Sequence, residues 1–228
     1  MARMHAIPLR YDDVFYPESD GQPMGETELH RKEIAYLIEA LSERFEKDAD
    51  VYVGGNLFLY YRQGNPQKVI CPDVMVVQGV PKLPMRRTFE LWEEGEAPCL
   101  VVEVRSDSTE GNDFNSKKAL YEHLGIDEYF LYDPLAIRDP QLQGFRLADD
   151  GRYQPADPEP DGSLASHTTG VTLRLEGQRI RAVETATGRL FLRNAELRKI
   201  AAQERETRLA LEDEVARLRR ELERRAKT

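Results

Sequence analysis

Val69-Ile70-Cys71-Pro72-Asp73-Val74-Met75-Val76-Val77 is an apolar run with one acid set inside it, and Leu100-Val101-Val102-Glu103-Val104 repeats the arrangement further along the chain. Continuous runs rich in Val and Ile read as central strands covered on both faces. Asp and Glu are almost never fully buried unless paired. On neighbouring strands the two carboxylates would raise one another's pKa, and desolvation would raise both. Such a pair requires a compensating Lys, Arg or metal ion.

The 228 residues, 40% of them hydrophobic, suffice for one substantial domain and an appendage. No apolar stretch approaches the roughly 20 residues that span a bilayer. Met1 to Arg10 lacks the apolar segment of a signal peptide, so the expected location is the cytoplasm, with no membrane partner. Cys71 and Cys99 lie two and four residues before the acids and share their strand faces. With no C-x-x-C spacing and no clustered His, buried free thiols fit them better than a zinc site. The net charge is −9, and from Glu196 onward Lys and Arg slightly outnumber Asp and Glu, so the body is the acidic part. That balance argues against non-specific nucleic-acid binding, which depends on neutralising phosphates.

Residues 1–25, with several Pro and Gly, read as an irregular arm. Thr27 is the expected N-cap of a helix ending near Lys47, with His30, Ile34, Leu37, Ile38, Leu41 and Phe45 at helical spacing. Val51 to Tyr61 reads as strand with a bulge or turn at Gly54-Gly55, and Gly79 to Pro98 mostly as loop. After Glu103 comes a polar loop, then a helix opening at Asn112 or Asp113 and stopping at Gly125, then the strand Glu128 to Tyr132. Gln143 to Leu192 reads as β-hairpins extending or capping the sheet. Leu197, Ala201, Leu211, Val215, Leu218 and Leu222 alternate in steps of four and three, interrupted by Glu204 and Arg208. This predicts a coiled-coil-like helix and a homo-oligomer, with a helix that folds back on the body as the alternative. The expected division is 1–194 and 195–228.

In the helix after Glu103, Lys117, Leu120, Tyr121 and Leu124 fall at i, i+3, i+4 and i+7. Lys117 therefore lies on the sheet-facing side, with Asp113 one turn earlier, and Lys118 does not. An Asp and a Glu on adjacent strands offer oxygens suited to Mg²⁺ or Mn²⁺, which polarises a phosphoryl group and acidifies a water. A lysine beside them orients that water or steadies developing charge. These are the parts of a phosphodiester hydrolase. A buried Asp–Glu–Lys network that only fixes the fold is the alternative from chemistry alone.

Four ordered motifs carry a resemblance. They are Pro72-Asp73-Val74, Glu103-Val104-Arg105-Ser106-Asp107-Ser108-Thr109, Asp113 through Lys117 to Tyr121, and Gly125 through Glu128-Tyr129 to Asp133-Pro134. Together they resemble the PD-(D/E)XK nuclease superfamily, and within it the restriction-endonuclease-like family abundant in cyanobacteria. The resemblance implies an α/β restriction-endonuclease-like core, a mixed β-sheet flanked by helices. It implies Asp73, Glu103 and the Val104 carbonyl as ligands of Mg or Mn, and nucleic acid, DNA above RNA, as partner. The superfamily's lysine two residues after the Glu is here Arg105, which cannot act as a base. In this branch the lysine has moved onto the following helix, in agreement with Lys117.

His30 sits where relatives carry a histidine and is a candidate catalytic or orienting residue. Glu28 is a candidate ligand from the same turn, and Tyr121 is read as core. Ser106 and Ser108 are candidates for a carboxylate or phosphate, and Lys82, Arg86 and Arg87 for a phosphate-contacting edge. The expected function is metal-dependent endonuclease. The alternative is a catalytically silent nuclease-fold scaffold acting through its coiled coil.

Overall fold

Thr27 Oγ1 accepts the His30 amide at 3.2 Å and caps the first helix, α1 (Glu28–Arg44). The structure, a computed structural model, describes residues 14–19, 27–105, 112–135 and 141–226. After α1 come β1 (Val51–Gly54), β2 (Leu59–Tyr60), β3 (Val69–Ile70), β4 (Val74–Gln78), β5 (Phe89–Glu90), α2 (Leu91–Glu94) and β6 (Leu100–Val104). Then follow α3 (Asn112–His123), β7 (Glu128–Tyr132), β8 (Leu142–Leu147), β9 (Tyr153–Pro155), β10 (Leu164–Ala165), β11 (Val171–Glu176), β12 (Arg179–Glu184) and α4 (Asn194–Arg225). The chain divides into two compact units, Met1–Phe191 and Leu192–Thr228.

The first unit is built on a six-stranded sheet in the order β1-β4-β6-β7-β8-β9. β6 and β7 are parallel and the other pairs antiparallel, so the sheet is mixed. Parallel neighbours need a crossover, and α3 supplies it. Successive side chains of a strand face opposite sides. Val74, Val76, Leu100, Val102 and Val104 accordingly join Ile34, Leu37 and Leu41 of α1 in one core layer. Met75, Val77 and Val101 join Tyr121, Ile126 and Tyr129 in the other. The hairpin sheet β10-β11-β12 closes over α1, where the buried Glu33 accepts the Ile180 amide at 3.0 Å.

Two long strands expected from the sequence are broken. Val69 to Val77 divides into β3 and β4 around Pro72-Asp73, because proline has no N–H for a ladder. Val51 to Tyr61 divides into β1 and β2, which belong to different sheets. The break falls where Asn56 takes a left-handed φ of 49° and donates its N–H to Pro72 O at 2.9 Å. The Gly79 to Pro98 connection is mostly loop, with β5 and the short α2 set within it. Among the described residues no helix is long and apolar enough to cross a membrane.

Candidate active site

β4 and β6 are neighbours with Val74 opposite Val102, and continuing that register sets Asp73 opposite Glu103. By strand parity both acids point to the α3 layer. Asp73 is 9% and Glu103 5% exposed, so the burial expected from their surroundings is met. The Val104 amide donates to Asp73 Oδ2 at 2.7 Å. Gly55 lies against this turn so closely that a Cβ there would meet Asp73 O at 2.0 Å and Ile38 Cδ1 at 2.9 Å. Only a residue without a side chain fits without moving the Asp73 backbone. Gly55→Ala is expected to cost about 1–3 kcal/mol by overpacking, read as a lower urea midpoint.

α3 supplies the cation. Lys117 Nζ donates to Glu103 Oε2 at 2.9 Å, and Tyr121, one turn on, donates its hydroxyl to Glu103 Oε1 at 2.5 Å. Lys118 points elsewhere, its ammonium 3.7 Å from the centroid of the Phe145 ring. Tyr121 is fully buried, as a core reading requires, but the polar end of its ring orients a carboxylate. Its i+4 position from Lys117 was the available signal. Burial pushes the Glu103 carboxyl up to about 8, the Asp73 charge adds to this, and Lys117 and Tyr121 offset it only in part.

From the opposite layer, His30 Nε2 donates to the Val104 carbonyl at 2.7 Å and lies 3.6 Å from Asp73 Oδ2. A carbonyl only accepts, so Nε2 carries the proton. His30 thus joins the constellation through the Val104 peptide. Arg105 continues β6, its amide donating to Tyr132 O at 2.8 Å, and its side chain is half-buried.

Other candidates are engaged elsewhere. Glu28 pairs with Lys32 at 2.5 Å on the exposed face of α1, as i,i+4 geometry favours. Lys82 donates to Glu46 O at 2.9 Å and to Phe45 O, Arg86 holds Glu94 by two bonds of 2.5 and 2.7 Å, and Arg87 holds Glu18. All three basic side chains of this loop thus have partners within the chain, Arg87 while remaining exposed. Cys99 is buried, with its thiol donating to Val76 O at 3.4 Å, and both cysteines are free thiols. Ser106 and Ser108 lie outside the described residues, as does the side chain of Asp113.

Among the described residues no group of three or more His, Cys, Asp or Glu side chains forms a metal-binding cluster. The donors present are two carboxylates and a peptide oxygen. That set suits a hard cation such as Mg²⁺, which takes one or two carboxylates and leaves its remaining positions to water and substrate. Asp73 Oδ1 receives no hydrogen bond from a described residue, and the Val104 carbonyl retains a second lone pair. The residues fit such an ion.

The core is a mixed α/β fold, a six-stranded mixed sheet with α1 on one face and α3 on the other. The chain belongs to the Uma2 family, described as "Putative restriction endonuclease", whose profile matches residues 2–180. A solved structure described as a putative nuclease belonging to DUF820, from Anabaena variabilis ATCC 29413, is similar at 16% identity with a TM-score of 0.49. That similarity covers 71% of this chain and 91% of that one. No curated protein matches the chain.

Proposed function

We propose that the protein is a Mg²⁺- or Mn²⁺-dependent endonuclease that hydrolyses phosphodiester bonds of nucleic acid, DNA foremost, in the cytoplasm. The observation carrying this reading is that Asp73 and Glu103 stand opposite one another while Lys117 touches Glu103 Oε2 at 2.9 Å. Asp73 and Glu103 are the ligands, with the Val104 carbonyl beside them. When bound, the ion acts as a Lewis acid toward the scissile phosphate and lowers the pKa of a water. Lys117 contributes a positive charge next to Glu103, positioned to orient the attacking water and to stabilise charge developing on phosphorus-bound oxygens. Tyr121 fixes the second oxygen of Glu103, and His30 fixes the Val104 peptide. Arg105 supplies a permanent charge at the end of β6 and takes no proton.

A silent scaffold is the second reading. It is favoured by the acidic body and by the internal pairing of Lys82, Arg86 and Arg87. In both readings residues 1–194 form the nuclease-fold unit and 195–228 the associating helix.

The test is Mn²⁺ titration by calorimetry into wild type and Asp73→Ala/Glu103→Ala, with the same samples assayed on plasmid, single-stranded DNA and RNA. Wild type is expected to bind and cleave, and the double variant to do neither. Absence of binding in wild type would discard the metallonuclease reading in favour of the scaffold.

A further inference from the structure

α4 runs for 32 residues without one buried residue. Along it Leu197, Leu211, Val215, Leu218 and Leu222 are 45% to 66% exposed, all on one stripe. A helix that leaves such a stripe in water is incomplete by itself.

We infer that α4 pairs with α4 of a second copy of this chain as a parallel, in-register, two-stranded coiled coil. This rests on the self-association reading and adds its orientation and register. In heptad terms Ala201, Arg208, Val215 and Leu222 occupy a, and Leu197, Glu204, Leu211 and Leu218 occupy d. A β-branched residue at a with leucine at d, as in Val215 between Leu211 and Leu218, favours two parallel strands. In that register Glu214 at g faces Arg219 at e of the other copy, an opposite-charge pair formed twice by symmetry.

The antiparallel alternatives are poorer. The register centred on Glu206 opposes Glu204 to Arg208, but it carries Leu218 and Leu222 to or beyond the start of the facing helix at Asn194, where they stay wet. An exposed ion pair is worth less than the burial of a leucine, so that exchange loses. The register that overlaps the whole helix sets Glu204 against Val215 and Arg208 against Leu211, so each charge takes the place of an apolar partner in its layer. In the parallel register Glu204 and Arg208 meet their own copies, but in adjacent layers, so each lies one turn from an opposite charge on the facing helix.

The consequence for the nuclease reading is that both Met1–Phe191 units join the coil at the same end.

The test uses the full chain in a Cys71→Ser/Cys99→Ser background. Val215→Cys under mild oxidation is expected to convert to a covalent dimer of twice the 26.2 kDa chain mass, because an a position faces itself only in the parallel register. Leu211→Glu/Leu218→Glu is expected to sediment as a monomer. A dimer in which Val215→Cys stays reduced would overturn the parallel register alone, and a monomeric background chain would overturn self-association. Neither outcome touches the nuclease reading, whose readouts are metal binding and cleavage.

Discussion

Lys117→Ala is expected to lower metal-dependent cleavage by about 10²–10⁴-fold, the range of a positioned proton-handling or charge-stabilising group, while Lys118→Ala keeps most of the activity. The two lysines are adjacent in sequence and alike in chemistry, so the comparison isolates direction. Lys117 reaches Glu103 from the sheet-facing side of α3, and Lys118 lies over Phe145. Mn²⁺ binding by Lys117→Ala separates the roles further, since the variant keeps both carboxylates and is expected still to bind the ion. Equal loss of activity in the two variants would sink the assignment.

The largest effect on stability is expected at Glu128, which is 2% exposed at the start of β7. Its carboxylate accepts from Ser166 Oγ at 2.5 Å, Thr168 Oγ1 at 2.8 Å, the His167 amide at 3.0 Å and Arg146 Nε at 3.1 Å. It ties the central sheet to the turn between β10 and β11. Burial raises this carboxyl, but the bonds from Ser166, His167 and Thr168 together outweigh it and hold the group below the usual carboxylate range. A depressed carboxylate stabilises the fold above its unfolded pKa of about 4.3, and that contribution is lost as pH falls through the folded value. Glu128→Ala strands several donors and is expected to cost about 3–5 kcal/mol at pH 7, measured by urea denaturation. Glu128→Gln is expected to flatten the acid limb of the stability profile. An unchanged limb would show that another group governs it.

The parts of the fold legible in the sequence were those set by local periodicity. β6, α3 and β7 follow from an apolar run, a helical face and a second apolar run, and the same face turns Lys117 toward Glu103. Asp73 and Glu103 were legible because acids are out of place in such runs. The hidden parts depend on partners remote in the chain. Arg86 and Arg87 look like a basic patch until Glu94 and Glu18 fold onto them. Glu128 looks like an ordinary strand residue until Ser166 and Thr168, 38 and 40 residues later, close over it. Gly55 gave a turn signal, but nothing local says that it must clear the Asp73 carbonyl. Tyr121 reads as core from its place on the apolar face of α3, and that packing conceals the use of its hydroxyl.

Val104 is held through both of its backbone polar groups, its N–H by Asp73 and its carbonyl by His30, each at 2.7 Å. One residue, through the two peptide units that flank it, is thereby a two-channel magnetic reporter. The ¹⁵N resonance of Val104 registers what happens to Asp73, and its ¹³C carbonyl resonance registers what happens at His30. A diamagnetic Mg²⁺ titration followed at this single labelled position would resolve whether ligand entry disturbs the carboxylate side, the imidazole side or both, even in a protein that turns over no substrate.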